Sequence, residues 1–352
     1  MYFINPHLKD FERVFDENNR KDYLRLDLNE NPGGLPGYIV RSVLDSVTPE
    51  MIAQYPETMP LMKTLADYLK VSKENICLTN GSAEGIRYII EAFSSEGGEI
   101  VGVTPSYMMF SIYSKMYGRK FIKVPYRNDL TMNINDLLDA LSPSTQILIL
   151  LNPNNPMGNV YSDDEMAMLV DRCQQLEITI IIDEAYYYFY PKTFIKYAIN
   201  NRHIFITRTF SKLFSMAGCR LGYVIGNQAD IAMIRKLTTP HNTNVFALLF
   251  AEQIIKSPEL IQQLIDEFNK GREFLIKELE KSDYQYTGEA GNFIFIKPKS
   301  DAEQLVKDMR QKKGILIKSY EDVGDFGNCL RVTIGGEKYM RVFVAALKEL
   351  DR

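Results

Sequence analysis

The chain has 352 residues, 45% of them hydrophobic and 24% charged, which is typical of a folded globular protein rather than a disordered or fibrous one. The net charge of −4 gives no electrostatic reason to expect nucleic acid or an anionic membrane surface as a partner, so small-molecule chemistry is favoured. The four cysteines are widely spaced with no histidine cluster, which predicts free thiols and no metal site. The N-terminus lacks a secretory signal, which predicts a cytoplasmic protein.

The first two thirds of the chain predict an α/β domain. Residues 1–37 predict an N-terminal arm that ends in the Gly- and Pro-rich sequence NPGGLPG at 31–37. From there to residue 240, apolar runs rich in β-branched residues alternate with stretches of helical period, which indicates a mostly parallel sheet covered by helices. The predicted strands are 99–103, 121–124, 146–151, 178–182, 203–207 and 221–225, and the predicted helices include 86–93 and 164–175. Only a loop separates the last two strands, so we expect that pair to be antiparallel.

The last third of the chain has a different pattern. Residues 245–279 predict a long helix that is broken near Ser257-Pro258. An α+β unit follows, with predicted strands at 292–297, 314–318 and 329–334 and predicted helices at 300–312 and 337–350. The predicted organisation is an arm at 1–37, a large α/β domain at 38–240, and a linker helix with a small C-terminal α+β domain at 241–352.

A turn of small residues, TNGSAEG at 79–85, leads into the helix predicted at 86–93. Its small side chains would leave the backbone N–H groups of Gly81, Ser82 and Ala83 open to a phosphate, which the helix dipole also favours. The alternative is that Ser82 only caps the helix.

A second loop, LLNPNNPMG at 150–158, directly follows a predicted strand. Two prolines within four residues predict a rigid, extended loop in which one X-Pro bond could be cis. Such a loop would fix an asparagine amide where it can donate to an oxygen on the ring of a ligand. The alternative is a plain turn.

A third segment, IIIDEAYYY at 180–188, places Asp183 at the carboxyl end of a buried strand. A carboxylate there needs a cationic partner or a metal, because burial of an unpaired charge is costly. A protonated pyridine nitrogen is such a partner, and the alternative is that Asp183 caps a helix.

The fourth segment, RTFSKLFSMAGCRLG at 208–222, places Lys212 among small and apolar residues. The hydroxyls of Thr209 and Ser211 and the charge of Arg220 suit an amine nucleophile beside a phosphate site. Burial and the charge of Arg220 would lower the pKa of Lys212, leaving some free amine near neutrality. The alternative is a solvated surface lysine.

With these four segments in their order and spacing, the chain resembles the class I and II aminotransferases and is most similar to their histidinol-phosphate branch. The similarity extends over most of the chain, through LNENP at 28–32, QYPE at 54–57, TPSY at 104–107 and LRVTIG at 330–335. It implies the fold type I of pyridoxal-phosphate (PLP) dependent transferases: a mostly parallel sheet in a large domain and a smaller α+β C-terminal domain.

The resemblance implies PLP as the cofactor and a role for each matching residue. Lys212 would be the Schiff-base lysine, Asp183 the partner of the pyridine nitrogen, and Tyr107 the aromatic ring stacked on the cofactor. Asn155 and Tyr186 would bond the ring 3-oxygen. The residues implied for the cofactor phosphate are Ser82, Ala83, Thr209, Ser211 and Arg220, together with Tyr55 from the second subunit of a homodimer.

The same resemblance implies that Arg331, Asn29 and Lys318 bind the substrate. Arg331 matches the arginine that binds the substrate carboxylate in most of the class and the substrate phosphate in the histidinol-phosphate branch. Lys318 stands where that branch usually has an arginine. Because lysine binds phosphate as a point charge and not as a planar fork, this difference weakens the assignment of a phosphate substrate.

The implied reaction moves an amino group between an amino acid or amino phosphate and a 2-oxo acid by a ping-pong mechanism, with small amino and keto substrates as the partners. One alternative is a PLP-dependent decarboxylase of a phosphorylated amino acid such as threonine phosphate, which would release carbon dioxide. Another is a dinucleotide-binding protein or dehydrogenase, but no G-x-G-x-x-G sequence follows Val103. A catalytically silent regulator would be expected to lack Lys212 or Asp183, and the chain has both.

Overall fold

The structure is a computed structural model that describes residues 2, 4–9, 20–288 and 290–352. Residues 1, 3 and 10–19 of the predicted arm lie outside the described residues. Within the described ranges, no helix is long and apolar enough to cross a membrane.

The strands are short and alternate with helices along most of the chain. Strands β1 to β13 are Leu24–Arg25, Ile76–Thr79, Glu99–Thr104, Lys120–Pro125, Thr145–Leu151, Thr179–Asp183, Ile204–Thr209, Gly222–Gly226, Tyr286–Thr287, Phe293–Ile296, Ile315–Leu316, Lys318–Val323 and Gly327–Thr333. Helices α1 to α14 are Pro6–Lys9, Gly37–Asp45, Pro49–Ala53, Met59–Leu69, Ser82–Phe93, Met109–Met116, Ile134–Ala140, Asp163–Gln175, Ile195–Asn200, Gln228–Arg235, Val245–Ile255, Pro258–Glu280, Ala302–Lys313 and Glu337–Leu350.

The large sheet has the order β2-β8-β7-β6-β5-β3-β4. Only β8 runs antiparallel to its neighbours, which confirms the mostly parallel sheet and the antiparallel last pair. Strand β2, ICLT at 76–79, is absent from the predicted set. Since β8 is reversed, its first residue lies at the edge where the parallel strands end. That edge therefore brings together the chain that follows β2, β3, β5, β6 and β7.

The second sheet has the order β12-β13-β10-β9 and is antiparallel throughout. The predicted strand 314–318 is wrong in its extent, because the chain changes partner within it. Ile315–Leu316 pairs in parallel with Leu24–Arg25 of the arm, and a new strand that pairs with β13 begins at Lys318. The arm thus adds to the small unit, where Leu26 is buried in the core.

The long helix predicted at 245–279 is two helices, α11 and α12, and the break falls at the predicted place. Pro258 is at the first position of α12, where its missing N–H and fixed φ are tolerated. The apolar side of α11 and the start of α12 pack against the core of the large sheet, whereas Phe268 and Leu275 pack in the core of the small unit. The domain boundaries at 37 and 240 stay predictions.

Candidate active site

Asp183 lies at the carboxyl end of β6 with only 2% of its surface exposed. Its Oδ1 accepts a hydrogen bond of 2.8 Å from the hydroxyl of Thr207 on the neighbouring strand. Burial raises the pKa of Asp183 to about 7, although the bond from Thr207 and the charge of Lys212 act in the opposite direction. The alternative that Asp183 caps a helix is wrong, because the next helical turn begins at Tyr187 and its cap position is Tyr186.

Lys212 lies in the loop between β7 and β8 and is half-buried. Its Nζ donates to the backbone carbonyl of Leu28 at 3.2 Å and lies 5.6 Å from the centre of the Tyr186 ring. Burial lowers the pKa of Lys212 to about 8, and the charges of Arg331 and, to a smaller extent, Arg220 act in the same direction. The amine is therefore hydrogen-bonded on a half-buried side chain, unlike that of a fully solvated surface lysine.

The backbone N–H groups at the start of α5 face the same edge of the sheet. Gly81 has φ of 80° and occupies the cap position without a side-chain hydrogen bond, so the alternative that Ser82 caps the helix is wrong. A Cβ built on Gly222 would lie 2.5 Å from the backbone nitrogen of Ser82, which shows how closely the two segments approach. The first-turn N–H groups of Ser82 and Ala83 have no partner within a helix and favour an anion.

Polar side chains surround this helix start. The side chains of Ser82, Thr209 and Ser211 are buried, and the Thr209 hydroxyl donates to Ser211 Oγ at 2.9 Å. The Arg220 guanidinium lies beside Gly81, where an added Cβ would be 2.8 Å from Nη2. We call this group the anion site; its residues are Gly81, Ser82, Ala83, Thr209, Ser211, Arg220 and Gly222.

Arg331 projects from β13 of the small unit and is 5% exposed. Its Nη1 donates to Asn155 Oδ1 at 2.9 Å, and its Nη2 donates to the carbonyl of Asp27. Its Nε is buried and has no hydrogen-bond partner among the described residues. Lys318 is the register partner of Arg331 on β12, so the two cations stand side by side on one face of the sheet.

The loop that carries Asn155 has two cis peptide bonds, Asn152-Pro153 and Asn155-Pro156, where one was expected. The loop is held to its neighbour because Asn154 Nδ2 donates to the carbonyl of Pro105 at 3.0 Å and Asn154 Oδ1 accepts from Ser106 at 2.7 Å.

Two tyrosines lie near Asp183, and one of them contacts Asn29. The Tyr186 hydroxyl accepts a hydrogen bond of 2.9 Å from Asn29 Nδ2, and burial raises the pKa of Tyr186 to about 12. Tyr107 packs edge-on against Phe110, and burial together with the charge of Asp183 raises the pKa of Tyr107. Both rings therefore stay neutral and close to Asp183.

Among the predicted residues, Tyr55 is exposed on the surface. Its side chain is 80% exposed, and its ring stacks on His241 with 4.7 Å between the ring centres. The structure brings the other predicted residues together around Asp183, Lys212 and Arg331.

The sequence profile of the aminotransferase class I and II family matches residues 21–347. The chain belongs to this family. Among relatives of this aminotransferase, the histidinol-phosphate aminotransferase of Caldanaerobacter subterraneus subsp. tengcongensis is 30% identical and covers 99% of this chain and 98% of its own. That of Pyrococcus furiosus is 32% identical and covers 92% of this chain and 91% of its own. The predicted aminotransferase class is thus confirmed.

The fold is also that of solved aminotransferases. The histidinol-phosphate aminotransferase of Sinorhizobium meliloti, solved in complex with pyridoxal-5′-phosphate, superimposes with a TM-score of 0.89 at 21% identity. The superposition covers 99% of this chain and 97% of that one. The predicted fold type I is therefore confirmed, and PLP is the typical cofactor of the family.

The described residues of this aminotransferase fit that cofactor. The anion site combines free helix N–H groups, three hydroxyls and a guanidinium, which is the donor set that a phosphate requires. Asp183 is a buried carboxylate that needs a cation, and Lys212 supplies an amine of lowered pKa close to it. A side chain at Gly222 would fill the space beside the Ser82 N–H, which a glycine keeps open.

Sequence reasoning missed several groups of this site. Thr207 is the register partner of Asp183, and a polar residue ending an apolar strand was a signal that could have found it. The ion pair between Arg208 and Glu184, 2.7 Å long and buried on both sides, lies directly beside Asp183 and gave no such signal. The Leu28 carbonyl that accepts from Lys212 could not have been found, because any residue offers a carbonyl.

Proposed function

We propose that this aminotransferase transfers the amino group of histidinol phosphate, or of a closely related amino phosphate, to a 2-oxo acid. The buried Arg331 guanidinium carries the proposal, because its Nε lacks a partner among the described residues and points to an anionic ligand group. Lys318, opposite it in the sheet, places a second positive charge on the same face, which suits a phosphate dianion. The names of the two relatives at 30% and 32% identity support the same substrate.

We assign the cofactor contacts as follows. Bound PLP supplies an aromatic ring that accepts electrons from the substrate carbon once its nitrogen is protonated. Lys212 would hold the cofactor covalently, Asp183 would pair with the ring nitrogen, and Tyr107 would stack on the ring. Asn155 and Tyr186 would bond the ring oxygen, and the anion site would take the phosphate.

The protonation states of this chain suit these roles. With a pKa of about 8, the Lys212 amine is partly unprotonated near neutral pH, so Nζ can take the proton from the substrate α-carbon. Arg331 holds the anionic end of the substrate while Asn155 and Asp27 hold the guanidinium, which fixes the direction in which the α-carbon meets Lys212.

We further propose a homodimer in which Tyr55 reaches the cofactor phosphate of the other subunit. The 80% exposure of the Tyr55 side chain, which leaves it accessible to a second subunit, supports this arrangement. Tyr55→Phe should lower the affinity for PLP without changing the dimer mass in sedimentation, and a monomeric protein with full PLP affinity would contradict the proposal. The cytoplasmic location stays a prediction.

The first experiment is an absorbance titration of the purified, PLP-loaded protein with a panel of amino donors. Histidinol phosphate should deplete the visible band of the Lys212-bound cofactor at lower concentration than histidinol or threonine phosphate. Release of carbon dioxide from threonine phosphate would instead favour the decarboxylase. A colourless protein that PLP cannot reconstitute would refute the cofactor assignment.

Variants test the phosphate contact directly. Arg331→Gln should raise KM for histidinol phosphate by about two orders of magnitude, because it removes a charge-assisted contact worth about 3 kcal/mol. Lys318→Met should raise KM by a smaller factor. Lys307→Met, on the exposed side of α13, is the matched control and should leave KM unchanged. If Arg331→Gln had the wild-type preference for histidinol phosphate over histidinol, the assignment would fail.

A further inference from the structure

Asp183 has two lateral neighbours in the large sheet. Leu151 is its register partner on β5 and Thr207 its partner on β7, and neighbouring side chains in register share one face of a sheet. Leucine offers no donor, so Thr207 is the neighbour that can bond the carboxylate. Its hydroxyl does so at 2.8 Å.

Thr207 is the first polar residue of β7 after three apolar ones. Ile204, Phe205 and Ile206 precede it and are buried in the apolar core, where another β-branched hydrocarbon would pack as well. Thr207 is also fully buried, and a buried hydroxyl is costly unless it is hydrogen-bonded. The bond to Asp183 therefore accounts for the polar residue.

The bond from Thr207 acts on Asp183 together with several nearby ionisable groups. Lys212 stands on the loop after β7, Tyr107 and Tyr186 are neutral, and the adjacent Glu184 is paired with Arg208. Burial favours the uncharged form of Asp183, and among the opposing effects the bond from Thr207 is the largest.

We propose that Thr207 is a positioning residue that keeps the Asp183 carboxylate ionised and directed at the ring nitrogen of the cofactor. This rests on the proposed function, in which Asp183 pairs with that nitrogen. Without the donor, Asp183 takes up a proton at a higher pH, and the backbone N–H of Ala185 is left as its hydrogen-bond donor, together with the charge of Lys212. A neutral acid stabilises a protonated ring nitrogen much less, so the ring accepts electrons less well.

The first test uses the protein without cofactor. Thr207→Val removes the hydroxyl and keeps the shape, Thr207→Ser keeps the hydroxyl, and Thr179→Val makes the same change at the other end of β6. In ¹³C NMR of labelled aspartate, the pKa of Asp183 should rise by about one unit in Thr207→Val and stay near the wild-type value in the other two. An unchanged pKa in Thr207→Val overturns the inference and leaves the proposed function intact.

The second test uses the holoenzyme reconstituted with PLP labelled with ¹⁵N in the ring. At pH 8 the protonated fraction of the ring nitrogen should fall in Thr207→Val, and kcat should fall about tenfold with KM for the donor little changed. A raised Asp183 pKa with an unaltered ring nitrogen would show that Asp183 is not its partner, and both proposals would then fail. Thr207→Ala gives the same readouts if the valine variant does not fold.

Discussion

Gly222→Ala should weaken PLP binding, because Gly222 keeps the anion site open. The added Cβ would lie 2.5 Å from the carbonyl carbon of Gly81 and from the nitrogen of Ser82, and 2.7 Å from the carbonyl oxygen of Arg208. These are backbone atoms on two sides of the new methyl group, so no side-chain rotation can relieve the contact. The shortest contacts are about 0.9 Å inside ordinary van der Waals distance.

The start of α5 must therefore move away from β8, and its N–H groups move with it. Overpacking of this kind costs about 1–3 kcal/mol. If the whole cost falls on the geometry of the anion site, PLP affinity drops by about 5- to 150-fold. Gly218→Ala is the matched control, since a Cβ there meets no heavy atom within 4 Å.

The assay is a fluorescence titration of each apo variant with PLP, together with its thermal unfolding without cofactor. We expect Gly222→Ala to lose affinity and some stability and Gly218→Ala to match the wild type. Wild-type PLP affinity in Gly222→Ala would refute the reasoning, because the methyl group would then have been accommodated without displacing the Ser82 N–H.

Three further predictions concern the buried charges. The apo protein should capture PLP faster as pH rises through about 8, because only unprotonated Lys212 attacks an aldehyde. Stopped-flow absorbance measures the rate of capture. The control is Lys212→Ala, which should neither capture PLP covalently nor turn over. Asp183→Asn should raise the melting temperature of the apo protein at pH 8 but not at pH 4. Folding raises the pKa of Asp183, so the contribution of this residue to stability is present at acid pH and is lost as pH rises through about 7. Equal effects at both pH values in calorimetry would contradict this. Arg208→Met should lower the free energy of unfolding, measured in urea, by about 3–5 kcal/mol, because Glu184 stays buried without its cationic partner. Adding Glu184→Gln should recover part of the loss. If the single variant were as stable as the wild type, the pairing would be disproved.

Most of the large sheet was predictable from sequence because its central parallel strands are buried apolar runs, as in 146–151 and 178–182. The split of 314–318 was not, because it depends on pairing with Leu24–Arg25, almost 300 residues earlier. Local sequence carries no information about such a partner.

The candidate site shows the same division. Asp183 and Lys212 could be found because a charged residue within an apolar or small-residue segment needs a reason to be there. Thr207 stands out only as a polar residue after an apolar run, and its role follows from the register that places it beside Asp183. The cap position of Gly81 likewise depended on its positive φ, which the sequence TNGSAEG permits but does not specify.

Two buried charged side chains of the site, the carboxylate of Asp183 and the guanidinium of Arg331, are incompletely paired within the protein. Burial raises the pKa of Asp183 in spite of its hydrogen bonds and the nearby charge of Lys212, so a closer cation would stabilise its charged form. Arg331 has a buried Nε without a hydrogen-bond partner in the described chain, so an anionic acceptor would stabilise it. Both deficits cost stability in the apo protein, and a ligand that is cationic at the ring nitrogen and anionic at the substrate end removes them together. Cofactor binding should therefore stabilise the fold through Asp183 and substrate binding through Arg331. At a free PLP concentration one hundred times Kd, the stabilisation by the cofactor is about 2.7 kcal/mol. The same incomplete pairing that weakens the apo fold is what selects the ligand.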